Sequence, residues 1–237
     1  MNNFGKKVNF IWNIANLLRG PYKPEKYGDV ILPLSVLRRF DCLLEKTKDD
    51  VLDRSEEVDI PELLKAESGF DFYNKSIYDF KKLLEDPDNI AANLRAYIRG
   101  FSKNIRDIME IFEFDKEITK LDSNNLLFLV IKEFNKIDLH PDKVSNQEMG
   151  YIFEELIRRF SENAEAGDHY TPREVIRLMV NLIFNGEEDE ITNPGNISTI
   201  GDFACGTGGM LSEAEKYIHE MNEDAQVIVF GQEINAQ

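Results

Sequence analysis

The stretch Ile197-Ser198-Thr199-Ile200-Gly201-Asp202-Phe203-Ala204-Cys205-Gly206-Thr207-Gly208-Gly209-Met210-Leu211 decides how this chain is read. It opens with apolar and β-branched residues that run into an acid, as a short strand does. Ala204 to Gly209 is a glycine-rich turn. After it, Met210, Leu211, Ala214, Tyr217, Ile218 and Met221 recur at helical spacing. Gln226-Val227-Ile228-Val229-Phe230-Gly231 is an unbroken apolar run, as expected of a strand covered on both faces, and it leads into Gln232-Glu233-Ile234-Asn235. Strand, glycine turn, helix, strand, acid is the opening of a doubly wound, Rossmann-like nucleotide-binding sheet.

Three ligands compete for such a turn. A phosphate loop needs Lys and Ser or Thr directly after its last glycine, and Met210-Leu211 stand there instead. A dinucleotide fingerprint wants a third glycine at position 211, which is Leu211. The remaining reading is an S-adenosylmethionine loop. Asp202 ends the first strand, Gly206 and Gly208 let the backbone approach the ligand, and Glu233 ends the second strand. A carboxylate there can accept from both ribose hydroxyls, and exposed backbone amides suit the carboxylate of the methionine end.

Upstream, Tyr170-Thr171-Pro172-Arg173-Glu174 reads as a helix start, with Thr171 as N-cap and Pro172 in the first helical position. Val175, Leu178, Met179, Leu182 and Ile183 form its expected buried face. Ser145-Asn146-Gln147-Glu148 is a capping box ahead of a stripe of Met149, Ile152, Phe153, Leu156, Ile157 and Phe160. Earlier still the period is helical throughout. Ile11, Trp12, Ala15 and Leu18 share a face that ends at Gly20-Pro21. Leu34, Leu37, Phe40, Leu43 and Leu44 follow Pro33, with Arg38 and Arg39 riding on the same helix, either on an exposed face or touching DNA or a partner. Residues 45–60 are so charged that they read as a solvated helix end and loop. The expected fold is an all-α domain over 1–140 followed, over 141–237, by the start of a Rossmann-like α/β domain that binds S-adenosylmethionine.

Composition bounds the function. The 237 residues carry 28 Lys and Arg against 44 Asp and Glu, a net charge of −16. That excludes a generic basic grip on nucleic acid, which Lys and Arg would supply. Hydrophobic residues make up 42%, enough for a core and too many for a disordered chain. Cys42 and Cys205 read as reduced thiols, and the longest pure apolar run, Leu126 to Ile131, is far short of a membrane span. A cytoplasmic protein without a membrane segment is expected. His140, His169 and His219 are too scattered for a zinc site, so no metal is expected.

Asp202 to Gly209 resembles the cofactor motif of the gamma-type N6-adenine DNA methyltransferases, and His169-Tyr170-Thr171-Pro172-Arg173 resembles the second cofactor motif, which precedes the glycine loop in that group. Trp12 to Gly20, and Tyr27 through Ile31-Leu32-Pro33-Leu34 to Arg38-Arg39-Phe40, are similar to the helical N-terminal domain of the modification subunit of type I restriction-modification systems. The resemblance implies that Asp168, His169, Tyr170, Thr171, Pro172 and Arg173 line the methionine end of the cofactor. Thr207, Gly208 and Gly209 would wrap it, and Glu233 would hold the ribose. It further implies methyl transfer to a flipped-out adenine in double-stranded DNA. A DNA-specificity subunit, a second methyltransferase subunit and a motor-nuclease restriction subunit would be the partners.

Two features depart from the family pattern. Phe203 stands where Pro is usual. The catalytic Asn-Pro-Pro-aromatic loop is missing, since Asn193-Pro194-Gly195 precedes the glycine turn and lacks the second Pro and the aromatic ring. No catalytic residue is therefore expected in these residues, and the expectation is a truncated subunit with weak cofactor binding that self-associates through Val227 to Phe230. A non-catalytic docking module for a specificity subunit is the competing reading, and a nicotinamide-dependent oxidoreductase a distant third. Cys205 beside His169 as a nucleophile pair lacks an orienting group. Glu154-Glu155 and Glu187 to Glu190 read as solvated charge.

Overall fold

A computed structural model describes residues 10–161, 171–186, 191–193, 197–206 and 208–234. The chain divides into two compact units, Met1–Ala164 and Glu165–Gln237.

The first unit is helical in its described residues. Helical backbone from Phe10 tightens to a 3-10 turn at Ala15–Leu18 and stops where Arg19 becomes extended and Gly20 takes φ 102°. Helix α1 follows (Gly28–Leu44). It starts three residues before the apolar run suggests, because the Tyr27 carbonyl accepts from the amides of Val30 and Ile31. Pro33 consequently lies inside the helix, at the expense of one backbone hydrogen bond. The charged run after it is a helix of its own, α2 (Lys48–Glu57), which buries only Lys48 and Val51. Then come α3 (Pro61–Ser68), α4 (Phe80–Leu83), α5 (Ile90–Arg99), α6 (Lys103–Ile111), α7 (Phe114–Ser123), α8 (Leu127–Asn135) and α9 (Asn146–Ser161).

While α2 and α3 form a smaller cluster of Val51, Leu64 and Tyr73, one core gathers α1 with α4 to α9, including Ile31, Leu34, Leu37, Phe80, Leu94, Tyr97, Phe114 and Phe134. Met149, Ile152 and Leu156 of α9 belong to the same core. The expected division at residue 140 therefore differs from the compact units, because α9 closes the helical core. Its capping box forms as read, with the Glu148 amide donating to Ser145 Oγ (3.1 Å) and the Ser145 amide to Glu148 Oε2 (3.0 Å).

Arg38 and Arg39 are internal ties, not an exposed or DNA-facing pair. Arg38 Nε donates to the Ile137 carbonyl at 2.9 Å, and its Nη1 pairs with Asp41. Arg39 is buried and donates to the carbonyls of Leu139 and Val144 and to Asn146 Oδ1. Both guanidiniums thus hold the connector that leads into α9, satisfying backbone acceptors that have no helical partner.

The second unit is built from α10 (Arg173–Phe184), β1 (Ile197–Asp202), α11 (Gly209–Met221) and β2 (Gln226–Gly231). The strands are parallel, in register from Ile197 opposite Gln226 to Asp202 opposite Gly231. The crossover through α11 is what a parallel pair requires. Its core is small: Ile176, Val180 and Ala214, with Phe184, Ile200, Met210 and Tyr217 packed around them. Here the structure corrects the sequence reading of α10. Val175, Leu178, Met179, Leu182 and Ile183, expected to be buried, are exposed, Leu182 by 66%. The buried arc is Ile176 and Val180, because only that side meets α11 and the sheet. The sheet face carrying Ile197, Ile228 and Phe230 is exposed as well. No described helix is long and apolar enough to cross a membrane.

Candidate cofactor site

The site begins where β1 runs out. The Asp202 carbonyl accepts from the Gln232 amide at 2.9 Å, continuing the ladder past the end of β2. Its carboxylate Oδ1 accepts from the Ala204 amide at 3.1 Å, a side-chain turn that lifts the chain out of the strand. The Cys205 amide then donates to the Gln232 carbonyl at 3.0 Å, and the Gly208 amide returns to the Cys205 carbonyl at 2.8 Å. Asp202 therefore shapes the turn.

Gly206 and Gly208 occupy left-handed backbone (φ 52° and 79°). That conformation strains any residue with a Cβ. Among the described residues a Cβ built at either position meets nothing within 4 Å, so this side of the turn is open to a ligand. Gly209 has a different reason. A Cβ there would come within 2.9 Å of Ile176 Cδ1, so glycine lets the first turn of α10 lie against the start of α11.

Glu233 closes the arrangement. Its Oε2 accepts from the Gly206 amide at 2.9 Å and its Oε1 from the Ile234 amide at 2.8 Å. The carboxylate after the second strand is thereby tied to the glycine turn and not directed into bulk solvent. Thr171 and Pro172 are exposed at the start of α10. The expected cap is displaced by one residue: Pro172 takes the N-cap position, its carbonyl accepting from Val175 and Ile176, and among the described residues no side chain caps the helix. Arg173 reaches toward α11, with Nη1 3.8 Å from Glu213 Oε2.

Of the residues singled out from sequence, Asp202, Gly206, Gly208, Gly209 and Glu233 converge on one turn, and Ile176 brings the helix that starts at Arg173 against it. Asp168, His169, Tyr170 and Thr207 lie outside the described residues, and with His169 goes any test of its pairing with Cys205. Cys205 is a half-buried thiol whose Sγ lies 3.7 Å from the Gly206 carbonyl oxygen. Among the described residues no group of three or more His, Cys, Asp and Glu is placed to hold a metal ion. Glu155 pairs with Arg159 along α9 at 2.8 Å, as a helix-surface acid does. Sequence reasoning passed over Glu213, which meets Arg173, Arg177 and Lys216. The only signal was an acid one turn beyond Gly209, and nothing in the sequence says which cations face it.

With this geometry in view, two family models cover most of the chain: the HsdM N-terminal domain over residues 7–134 and the N-6 DNA Methylase domain over residues 144–237. The chain belongs to the type I restriction-modification methylase subunit family.

Similar proteins in that family include the type I restriction enzyme MjaVII methylase subunit of Methanocaldococcus jannaschii, 25% identical over 67% of this chain and 26% of that protein. Another is the EcoEI methylase subunit of Escherichia coli, 32% identical over 56% of this chain and 25% of that protein. This methylase-family chain thus matches about a quarter of the length of those curated relatives. A crystal structure of a type I restriction-modification methyltransferase subunit from Streptococcus thermophilus shares the fold. Its TM-score is 0.63 at 22% identity, covering 99% of this chain and 53% of that one. The two family models meet between residues 134 and 144, ahead of α9, whereas the compact units part at Ala164.

Proposed function

We propose that this chain carries the cofactor half of an S-adenosylmethionine-dependent DNA N6-adenine methyltransferase, the modification subunit of a type I restriction-modification system working in the cytoplasm. The observation that carries the reading is the bond from the Gly206 amide to Glu233. It sets the acid after the second strand against an open glycine turn at the carboxyl ends of two parallel strands. Ligands of open α/β sheets bind at that end.

When bound, the cofactor supplies an electrophilic methyl group on a sulfonium. The residues around it do the holding. Glu233 would accept from the ribose hydroxyls, in place of part of its bond to the Gly206 amide. The open faces of Gly206 and Gly208, with Thr207, would admit the methionine end, and the 168–173 segment would line it. Arg173 offers a guanidinium to the carboxylate. The Asn-Pro-Pro-aromatic motif that would hold the adenine is not among these 237 residues, which account for the cofactor side alone. Sequence reading is the task of a specificity subunit that also brings double-stranded DNA. A second methylase subunit and a motor-nuclease subunit complete the assembly. Such a division suits a chain of net charge −16.

The test is an equilibrium titration of the 237-residue chain with S-adenosylmethionine and, separately, NAD. Weak, saturable binding of the first and none of the second is expected, with photo-crosslinks falling in 168–173. Preferential NAD binding, or crosslinks confined to the helical unit, overturns the reading. The exposed apolar arc of α10 favours a second reading, a docking module for the specificity subunit. It predicts complex formation with that subunit in the absence of cofactor.

A further inference from the structure

We propose that Glu213 is a positioning residue for the cofactor's amino-acid end, acting through Arg173; this rests on the S-adenosylmethionine reading above. Glu213 sits one turn into α11, directly after the glycine turn, and its side chain is only 12% exposed. Three cations surround it. Arg177 Nε donates to Oε1 at 2.9 Å, Arg173 Nη1 stands 3.8 Å from Oε2, and Lys216 Nζ is 3.9 Å from Oε1. Lys216 also faces Glu220 at 3.4 Å. With Glu213 and Glu220 among them, these three cations form a nearly balanced charge cluster beside the candidate site.

The two distances assign different roles. At 2.9 Å the Arg177 bond is a charge-assisted hydrogen bond that pins α10 to α11. At 3.8 Å Glu213 attracts the Arg173 guanidinium without taking one of its N–H groups in a hydrogen bond. Arg173 and Arg177 lie one turn apart on the same helix, where like charges repel. The Glu213 carboxylate between them removes that repulsion and keeps both guanidiniums turned toward α11. Arg173 is the first residue of α10, and Ile176, three residues on, touches Gly209. The guanidinium is thereby kept on the turn of α10 that borders the glycine loop, where the α-carboxylate of the methionine moiety is its matching anion. A cofactor fragment without that carboxylate has nothing for Arg173 to hold.

The test compares two ligands on the full chain. S-adenosylmethionine has the amino-acid end, and 5′-methylthioadenosine has the same nucleoside without it. E213Q keeps the shape of the side chain and loses its charge. It is expected to weaken S-adenosylmethionine binding about tenfold while leaving 5′-methylthioadenosine within about twofold, with E213D recovering part of the loss. R173Q, which leaves the Glu213–Arg177 pin in place, is expected to show the same selective loss, and the double variant no more than either alone. Equal weakening of both ligands in E213Q and R173Q, or no weakening in either variant, overturns the proposal. If E213Q does not fold, as seen in its circular dichroism, R173Q alone decides between selective and equal loss. If the unaltered chain binds neither ligand, the cofactor reading itself has failed, and this inference with it.

Discussion

Gly208 is the residue at which backbone and ligand demands coincide. Its φ of 79° costs a residue with a Cβ about 1–2 kcal/mol, and the open space beside it is where the methionine end would pass. Gly208→Ala is therefore expected to lower the stability of the second unit by that amount and to abolish cofactor binding. Thermal melts and the S-adenosylmethionine titration check the two effects separately, and unchanged binding in a folded variant contradicts this use of the turn.

Lys48 poses a residue-scale question away from the site. Its ammonium is buried, bonded to Asn74 Oδ1 at 3.3 Å and lying 5.5 Å from the centre of the Tyr97 ring. Burial pushes its pKa down to about 8 from 10.5, against the pull of Asp41 and Asp79 and with Lys82 adding to the depression. Between about pH 8 and 10.5 the unfolded chain binds more protons at this lysine than the folded one, so its contribution to stability rises with pH through that window. Below about 8 both states are charged, and the full cost of burying the cation is present. The stability of the unaltered chain relative to Lys48→Met is expected to climb as pH is raised from neutral to about 10, read from urea unfolding at each pH. A pH-independent difference contradicts it.

At the scale of elements, α10 shows what an apolar stripe can and cannot tell. Period marks a helix, and Arg173–Phe184 is one, but a stripe says which side is apolar and not which side has a neighbour. Ile176 and Val180 are buried because α11 presents Ala214 there, and the wider arc through Leu178 and Leu182 has no such cover. Val180→Ala is expected to cost about 1–3 kcal/mol and Leu182→Ala less than about 0.5 kcal/mol, compared by chemical denaturation. The reverse order would mean that the arc of Leu182 is buried in solution. The β-α-β unit and its glycine turn were legible because each part has a local cause, β-branched runs for the strands and left-handed backbone for Gly206 and Gly208, and the start of α9 was legible in the helical unit from its capping box. Arg38 and Arg39 were not legible. The carbonyls they satisfy, at Ile137, Leu139 and Val144, lie about a hundred residues away in sequence. The Lys48–Glu57 helix was hidden by its charge, since its core contacts come down to Val51 and the stem of Lys48. Glu233 was read from its place after β2, and its bond to the Gly206 amide follows from that placement.

At the scale of the whole molecule the two units are unequally provided for. The helical unit closes around a large core of aromatic and aliphatic side chains, with a small satellite of Val51, Leu64 and Tyr73. Among its described residues the second unit has two parallel strands, a small core around Ile176, Val180, Ala214 and Ile218, and exposed apolar residues on both α10 and the sheet, including Phe230 at 59% exposure. Parallel strands are stable when both faces are covered, and an unpaired strand edge invites another strand. A chain with such a surface associates unless something else occupies it, and net charge, which otherwise keeps molecules apart, is screened at moderate salt. The 237-residue chain is therefore expected to self-associate reversibly at micromolar concentration, more strongly as salt rises. Phe230→Lys, which sets a charge on the bare face without touching the Ile176–Val180 core, is expected to shift it toward monomer with little change in melting. Sedimentation velocity across a dilution series reads both. A monodisperse monomer of the unaltered chain at high concentration and high salt would mean that the sheet is covered in solution, and Phe230→Lys would then destabilise the second unit instead of freeing it.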